Sequence, residues 1–111
     1  HRTAIFKVQP RVLVDNSASV THTLLEVNAR DRVGLLYDIS RALTELRLSI
    51  GSARINTYGE VAVDVFYVKD VFGMKIHDEA RIEAIRTGLI EAIDSGEAVA
   101  CDGGSAGVAA E

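Results

Sequence analysis

Hydrophobic positions along this chain follow two rhythms that alternate. Over residues 21–29 apolar and polar side chains take turns: Leu25 and Val27 point one way, Leu24, Glu26 and Asn28 the other. That is the period-two signature of a half-buried strand. From residue 34 to 46 the period lengthens. Leu36, Ile39, Ala42, Leu43 and Leu46 recur at helical spacing, with Asp38, Arg41, Thr44 and Glu45 on the wet side. Period two returns over 48–57 and 61–69, joined by Tyr58-Gly59-Glu60, where glycine supplies the turn. Helical spacing resumes over 78–93. Its inner stripe is Ile82, Ile85, Leu89 and Ile93; Glu79, Arg81, Glu83, Arg86 and Glu91 form the solvated face. Asp78 is placed to cap this helix, and Asp94-Ser95-Gly96 to end it. Ahead of the first strong strand, Ile5–Val8 and Val12–Val14 are short β-prone runs split by Pro10.

The order strand, strand, helix, strand, strand, helix predicts an α+β fold. It reads as a ferredoxin-like two-layer sandwich, a four-stranded antiparallel sheet with two helices on one face. The usual last strand of βαββαβ is missing, and the strand near residues 11–14 is expected to fill its slot beside the strand at 21–29. Over 61–69 one face carries Val61, Val63, Val65 and Tyr67, the other Ala62, Asp64, Phe66 and Val68. Both faces are apolar, so a neighbouring domain or a second copy is expected on the face that the helices leave free. Asp64 is expected near an edge or in a structural ion pair with Arg54. Residues 1–20 read as a linker from an upstream domain, including the strand near 11–14. Residues 21–94 are the folded domain. Residues 95–111, small and low in complexity, read as a disordered tail in which Ala98–Cys101 has some strand character.

Composition narrows the function. The 111 residues carry a formal charge of −4 and no Trp. That argues against a nucleic-acid surface, which needs clustered Lys and Arg or stacking aromatics. Cys101 is the single cysteine, so no intrachain disulfide forms and a reducing cytoplasm fits; no Cys/His set has metal-ligand spacing. No apolar run approaches the roughly 18 residues of a membrane span, and no signal peptide opens the chain. The start at His1 rather than Met reads as a piece of a larger protein. There is no phosphate-binding glycine loop. His1, His22 and His77 are scattered, and Ser40, Ser49 and Ser52 have no activating partner in view. Catalysis and a cofactor are therefore not expected of this chain.

The turn at residues 28–36 is the one place with a chemical proposition. Asp31 reads as an N-cap of the first helix, and Gly34 lets a backbone or small ligand come close. Free amides at a helix N-terminus favour a carboxylate or another anion. Arg30 and Arg32 bracket the turn, which also raises an anion site of the acylphosphatase kind.

Arg30-Asp31-Arg32-Val33-Gly34-Leu35-Leu36 resembles the Asp-Arg-Pro-Gly-Leu-Leu hinge of ACT domains, the amino-acid-sensing regulatory modules. Thr57-Tyr58-Gly59-Glu60, Val63-Asp64-Val65-Phe66-Tyr67-Val68 and Phe72-Gly73-Met74-Lys75-Ile76 are similar to the C-terminal ACT domain of bifunctional protein-PII uridylyltransferase/uridylyl-removing enzymes. The hinge alone is shared with alarmone synthetase/hydrolases, among others. The resemblance covers about residues 5–95. It implies a parent enzyme that modifies a PII signal protein in other domains, with Mg2+ as the parent's cofactor. It implies a non-catalytic module that senses glutamine at an interface between ACT domains. The implied ligand-binding positions are Asp31, Arg32, Val33, Gly34, Leu35 and Leu36 at the hinge and Ser49 at the start of the next strand. Val33 stands where the family usually has Pro, and Ser49 where amino-acid-binding members often carry Asn.

Overall fold

The computed structural model describes residues 8–109. Six elements follow in order: β1 (Arg11–Asp15), β2 (Thr23–Arg30), α1 (Leu35–Glu45), β3 (Ser49–Tyr58), β4 (Val61–Lys69) and α2 (Glu79–Ala109). The strands form one antiparallel sheet in the order β1-β2-β4-β3. β1 lies beside β2, Arg11 opposite Asn28 and Asp15 opposite Leu24, in the slot foreseen for it. The expected α+β, ferredoxin-like sandwich is what the chain forms. The part of the early β-prone run before Val8 lies outside the described residues.

Alternation along β2 and β4 sends every second side chain to the helices. Leu25, Val27 and Ala29 from β2 and Ala62, Phe66 and Val68 from β4 are buried against Leu35, Ile39, Ala42 and Leu43 of α1 and Ile85, Leu89 and Ile93 of α2. Each large side chain of this set contributes about 1.5–3 kcal/mol by leaving water. A polar staple closes the lower loops onto this core. Buried Thr23 donates through Oγ1 to Asn16 Oδ1 at 2.6 Å and accepts the Ile76 amide at 2.9 Å. Lys75 Nζ donates to the carbonyls of Asn16 and Ser19, both at 2.7 Å. β3 is different: it is the sheet edge, and all ten of its residues are exposed.

Several expectations change here. α1 begins with Leu35 directed to the core (3% exposed) while Leu36 is 43% exposed, so the inner stripe starts one residue earlier than the sequence suggests. Both leucines are compatible with the spacing, and the turn ahead of the helix sets which one faces inward. Asp38 is not simply solvated, since Arg32 Nη2 donates to its Oδ2 at 2.8 Å. α2 does start behind Asp78, whose Oδ2 accepts the Arg81 amide at 2.9 Å. However, it does not stop at Asp94-Ser95-Gly96; it continues to Ala109, so residues 98–101 are helix and not strand. The physical reason is close packing. A side chain at Gly96 would run into Asp38 Oδ2 and Arg32 Nη2, so the glycine is where α2 passes the hinge rather than where it ends. The expected pairing of Asp64 with Arg54 is absent. Asp64 lies opposite Ile55 and faces the helices, whereas Arg54 lies opposite Val65 on the other face.

Candidate functional site

The hinge between β2 and α1 is a reverse turn followed by a helix start. The Leu35 amide donates to the Arg32 carbonyl at 3.2 Å, closing a four-residue turn. Gly34, its third residue, has φ 86° and ψ −4°, the values of a type II turn, which require glycine there and favour proline one position earlier. Gly34 is also the N-cap, with its carbonyl accepting the Asp38 amide at 2.9 Å and no side-chain cap bond. Asp31 is therefore not the cap expected from the sequence. It lies three residues too early, and its amide donates to the Glu60 carbonyl at 2.8 Å, tying the hinge to the β3–β4 turn.

Arg32 fixes the other side of the hinge. Its guanidinium, 11% exposed, bonds Asp38 and also donates to the Ile93 carbonyl of α2 at 3.3 Å and the Val33 carbonyl at 3.3 Å. Arg30 pairs with Glu97 at 3.5 Å. Both arginines are thus engaged with helix-side acceptors, which disfavours an acylphosphatase-like anion site built on them.

Two cavities flank the hinge. The larger, about 510 Å3, opens between α1 and α2, and its charges are matched: Arg32 with Asp38, and Arg41 with Glu45 at 3.1 Å. The smaller, about 270 Å3, lies between the start of α1 and the helix-facing side of β3 and β4. Its chemistry is unmatched, and we place the candidate site there. At its rim are Leu36 and Tyr37, whose amides open α1 and have no backbone acceptor among the described residues. Such amides sit at the positive end of the helix dipole and favour an anion. Asp31 and Asp64 line it too, with Arg32, Gly34, Leu35, Ile55, Thr57 and Ala62 completing the wall. Asp64 is 2% exposed, and its Oδ1 has no hydrogen-bond partner. Burial pushes the Asp64 carboxyl above its usual range; the Asn56 amide offsets part of the rise, and the charge of Asp31 adds to it.

Of the residues named from the sequence, Asp31, Arg32, Gly34, Leu35 and Leu36 line this cavity. Val33 stands 95% exposed beside it and lines the larger one instead. Ser49 is not brought to the hinge. It opens β3 opposite Lys69, about six residues, or roughly 20 Å, from the Ile55 row. Sequence reasoning missed Asp64, Tyr37, Ile55 and Thr57 as site residues. The signal for Asp64 was a carboxylate in the apolar phase of a strand. Among the described residues no three His, Cys, Asp or Glu side chains gather as a metal site. No helix among the described residues is long and apolar enough to cross a membrane.

A glycine-cornered hinge, a four-stranded antiparallel sheet and two helices define a small two-layer α+β module. Residues 11–99 match the family model described as the ACR9-like, ACT-like domain, and the chain belongs to that ACT-like domain family. Its curated relatives are bifunctional uridylyltransferase/uridylyl-removing enzymes. The chain is 62% identical over 92 residues to the one from Azospirillum brasilense, covering 83% of this chain and 10% of that protein. It is 58% identical over 92 residues to the one from Rhodospirillum rubrum, with the same coverage, and 51% over 94 residues to that of Gluconobacter oxydans, covering 85% and 10%. The chain thus spans about a tenth of the length of the relatives it matches. The crystal structure of an unknown protein from Galdieria sulphuraria superposes with a TM-score of 0.50 at 24% identity, over 63% of this chain and 37% of that one. That likeness speaks for the fold alone.

Proposed function

We propose that this chain is the regulatory amino-acid-sensing module of a uridylyltransferase/uridylyl-removing enzyme, with glutamine as effector. The parent acts on a PII signal protein in nitrogen regulation. The module itself is non-catalytic; nucleotidyl transfer, with the Mg2+ it uses, belongs to other parts of the parent. The observation that supports this most is the small hinge cavity, with free helix-start amides and an unpaired buried carboxylate among its lining residues. At about 270 Å3 it is just below the roughly 300 Å3 at which drug-sized pockets begin, a size suited to one small metabolite. The relatives' shared name favours this parent over an alarmone synthetase/hydrolase.

Glutamine acts here as an allosteric ligand. It stabilises the domain arrangement in which the cavity is completed, and the shift is limited to its differential affinity, typically ~1–3 kcal/mol. Calorimetric titration of glutamine into this chain, and into the chain joined to its neighbouring domain, tests the reading. Saturable heat is expected from at least the joined form. Folded samples that give none refute direct sensing.

A second reading is supported by the sheet face away from the helices. Leu13, Leu24, Val61, Val63, Val65 and Tyr67 give it an apolar, only part-covered stripe centred on β4, flanked by Glu26, Asn28, Arg54 and Asn56. On this reading the chain is a pairing module for a second ACT domain or a second copy. It predicts a concentration-dependent dimer in sedimentation that amino acids leave unchanged.

A further inference from the structure

Asp64 has no structural justification in the sheet. Its neighbours in the helix-facing row of β4 are Ala62 and Phe66, and Ile55 lies directly opposite. Keeping a carboxylate charged in such a place is unfavourable unless a partner is supplied. The cations nearby are turned elsewhere: Arg54 is on the other face of the sheet, and Arg32 is held by Asp38 and the Ile93 carbonyl. The other ionisable carboxylate of the cavity, Asp31, adds negative charge instead of relieving it. The Asn56 amide serves this carboxylate only in part: Oδ1 stays without a donor in a side chain that lines a cavity, which marks the place where a ligand provides the missing group.

We propose that Asp64 is the receptor for the ammonium group of the ligand, so that the hinge cavity takes a zwitterionic α-amino acid. The carboxylate of the ligand is held at the Leu36 and Tyr37 amides. Its ammonium pairs with the Asp64 carboxylate, which lines the cavity, and is steadied by Asp31. The side chain then points out past the exposed edge strand, where a neighbouring domain can read it. This rests on the reading that the hinge binds an amino acid, and it adds the residue that makes the α-ammonium a requirement. A divalent cation fits the same carboxylates poorly. Hard metal ions take six or more oxygen ligands, whereas the rest of the wall is largely apolar, with Ile55, Ala62 and Leu35.

The test compares wild type with Asp64→Asn, using calorimetry and backbone NMR shifts at the hinge. The probes are L-glutamine, its des-amino analogue glutaramate, its decarboxylated analogue 4-aminobutanamide, and the other common amino acids. Wild type is expected to bind glutamine at least tenfold more tightly than glutaramate. Asp64→Asn is expected to lose at least tenfold for glutamine while glutaramate is unchanged. Equal glutamine affinity in wild type and variant, or equal affinity of wild type for glutamine and glutaramate, overturns the assignment. Should glutamine fail while another amino acid or 4-aminobutanamide binds wild type and not the variant, the effector proposed above is wrong and the role of Asp64 stands. If no ammonium-bearing probe shifts the wild-type hinge, the role of Asp64 is refuted as well.

Discussion

Replacing Asp64 by Asn should make the ligand-free protein more stable, and the gain should depend on pH in a defined direction. The side chain is 2% exposed and its Oδ1 is unpartnered. An unsatisfied buried polar atom costs about 1–3 kcal/mol, and more when charged. Asparagine keeps the shape, removes the charge and can donate to the neighbouring Asp31. A gain of about 1–2 kcal/mol at neutral pH follows, or roughly 4–8 °C in Tm for each kcal/mol in a domain of this size. The sign with pH comes from proton linkage. Burial raises the carboxyl of Asp64 above its ordinary value of 3.8. Between that value and the higher folded one, the folded state holds the proton more tightly than the unfolded state. The wild type therefore has the full contribution of the protonated group below 3.8 and loses it as pH rises through the folded value. Asp64→Asn has no such loss. The gap between variant and wild type should be small near pH 4 and widen toward neutrality. Urea denaturation followed by far-UV circular dichroism across that range measures it. A variant less stable than wild type at neutral pH, or a gap that does not change with pH, would refute the account of an orphaned buried carboxylate.

Three other expectations can be checked by the same denaturation assay. Val33→Pro should stabilise by ~0.4–1 kcal/mol, because Val33 precedes the φ-positive Gly34 of a type II turn and proline is suited to that position; destabilisation would show that the turn is of another type. Thr23→Val should destabilise by about 1–3 kcal/mol, since it leaves the Ile76 amide and Asn16 Oδ1 without their partner; near-neutral stability would mean the loop is not held by this staple. Two glycines in α2 should respond in opposite senses. Gly88→Ala, whose methyl meets the Leu46 side chain at 3.4 Å, should gain up to about 1 kcal/mol of helix propensity. Gly96→Ala should forfeit that gain by displacing the Arg32–Asp38 pair, and prior truncation of both Arg32 and Asp38 should restore it. Equal effects at the two positions would show that the pair adds nothing.

Much of the fold was legible along the chain because its signals are local. Period two over β2 and the stripe Ile85, Leu89, Ile93 put the correct side chains in the core, β4 was legible as a strand apolar on both faces, and β1 took the place foreseen for it. The hinge was legible as well, since Gly34 marks a turn wherever it stands before a helix. Where the reading failed, the deciding contact was distant in sequence. The end of α2 was misplaced because a glycine normally stops a helix, and only packing against Arg32 and Asp38, some sixty residues away, shows why a glycine sits inside one.

The sequence by itself determined the elements and their order, because periodicity and turn chemistry depend on residues a few positions apart; the ACT-type hinge and the expectation of an amino-acid ligand came from its resemblance to ACT domains. Only the tertiary structure decided how the hinge is used. Register set Asp64 opposite Ile55 on the helix side of the sheet and left Arg54 on the other face. Pairing put Ser49 opposite Lys69 at the far end of β3, and packing of the hinge on α2 brought Arg32 to the Ile93 carbonyl. A one-residue change of register reverses the face of every side chain in a strand. For that reason the carboxylate that gives the cavity its character could be seen in the sequence but not placed.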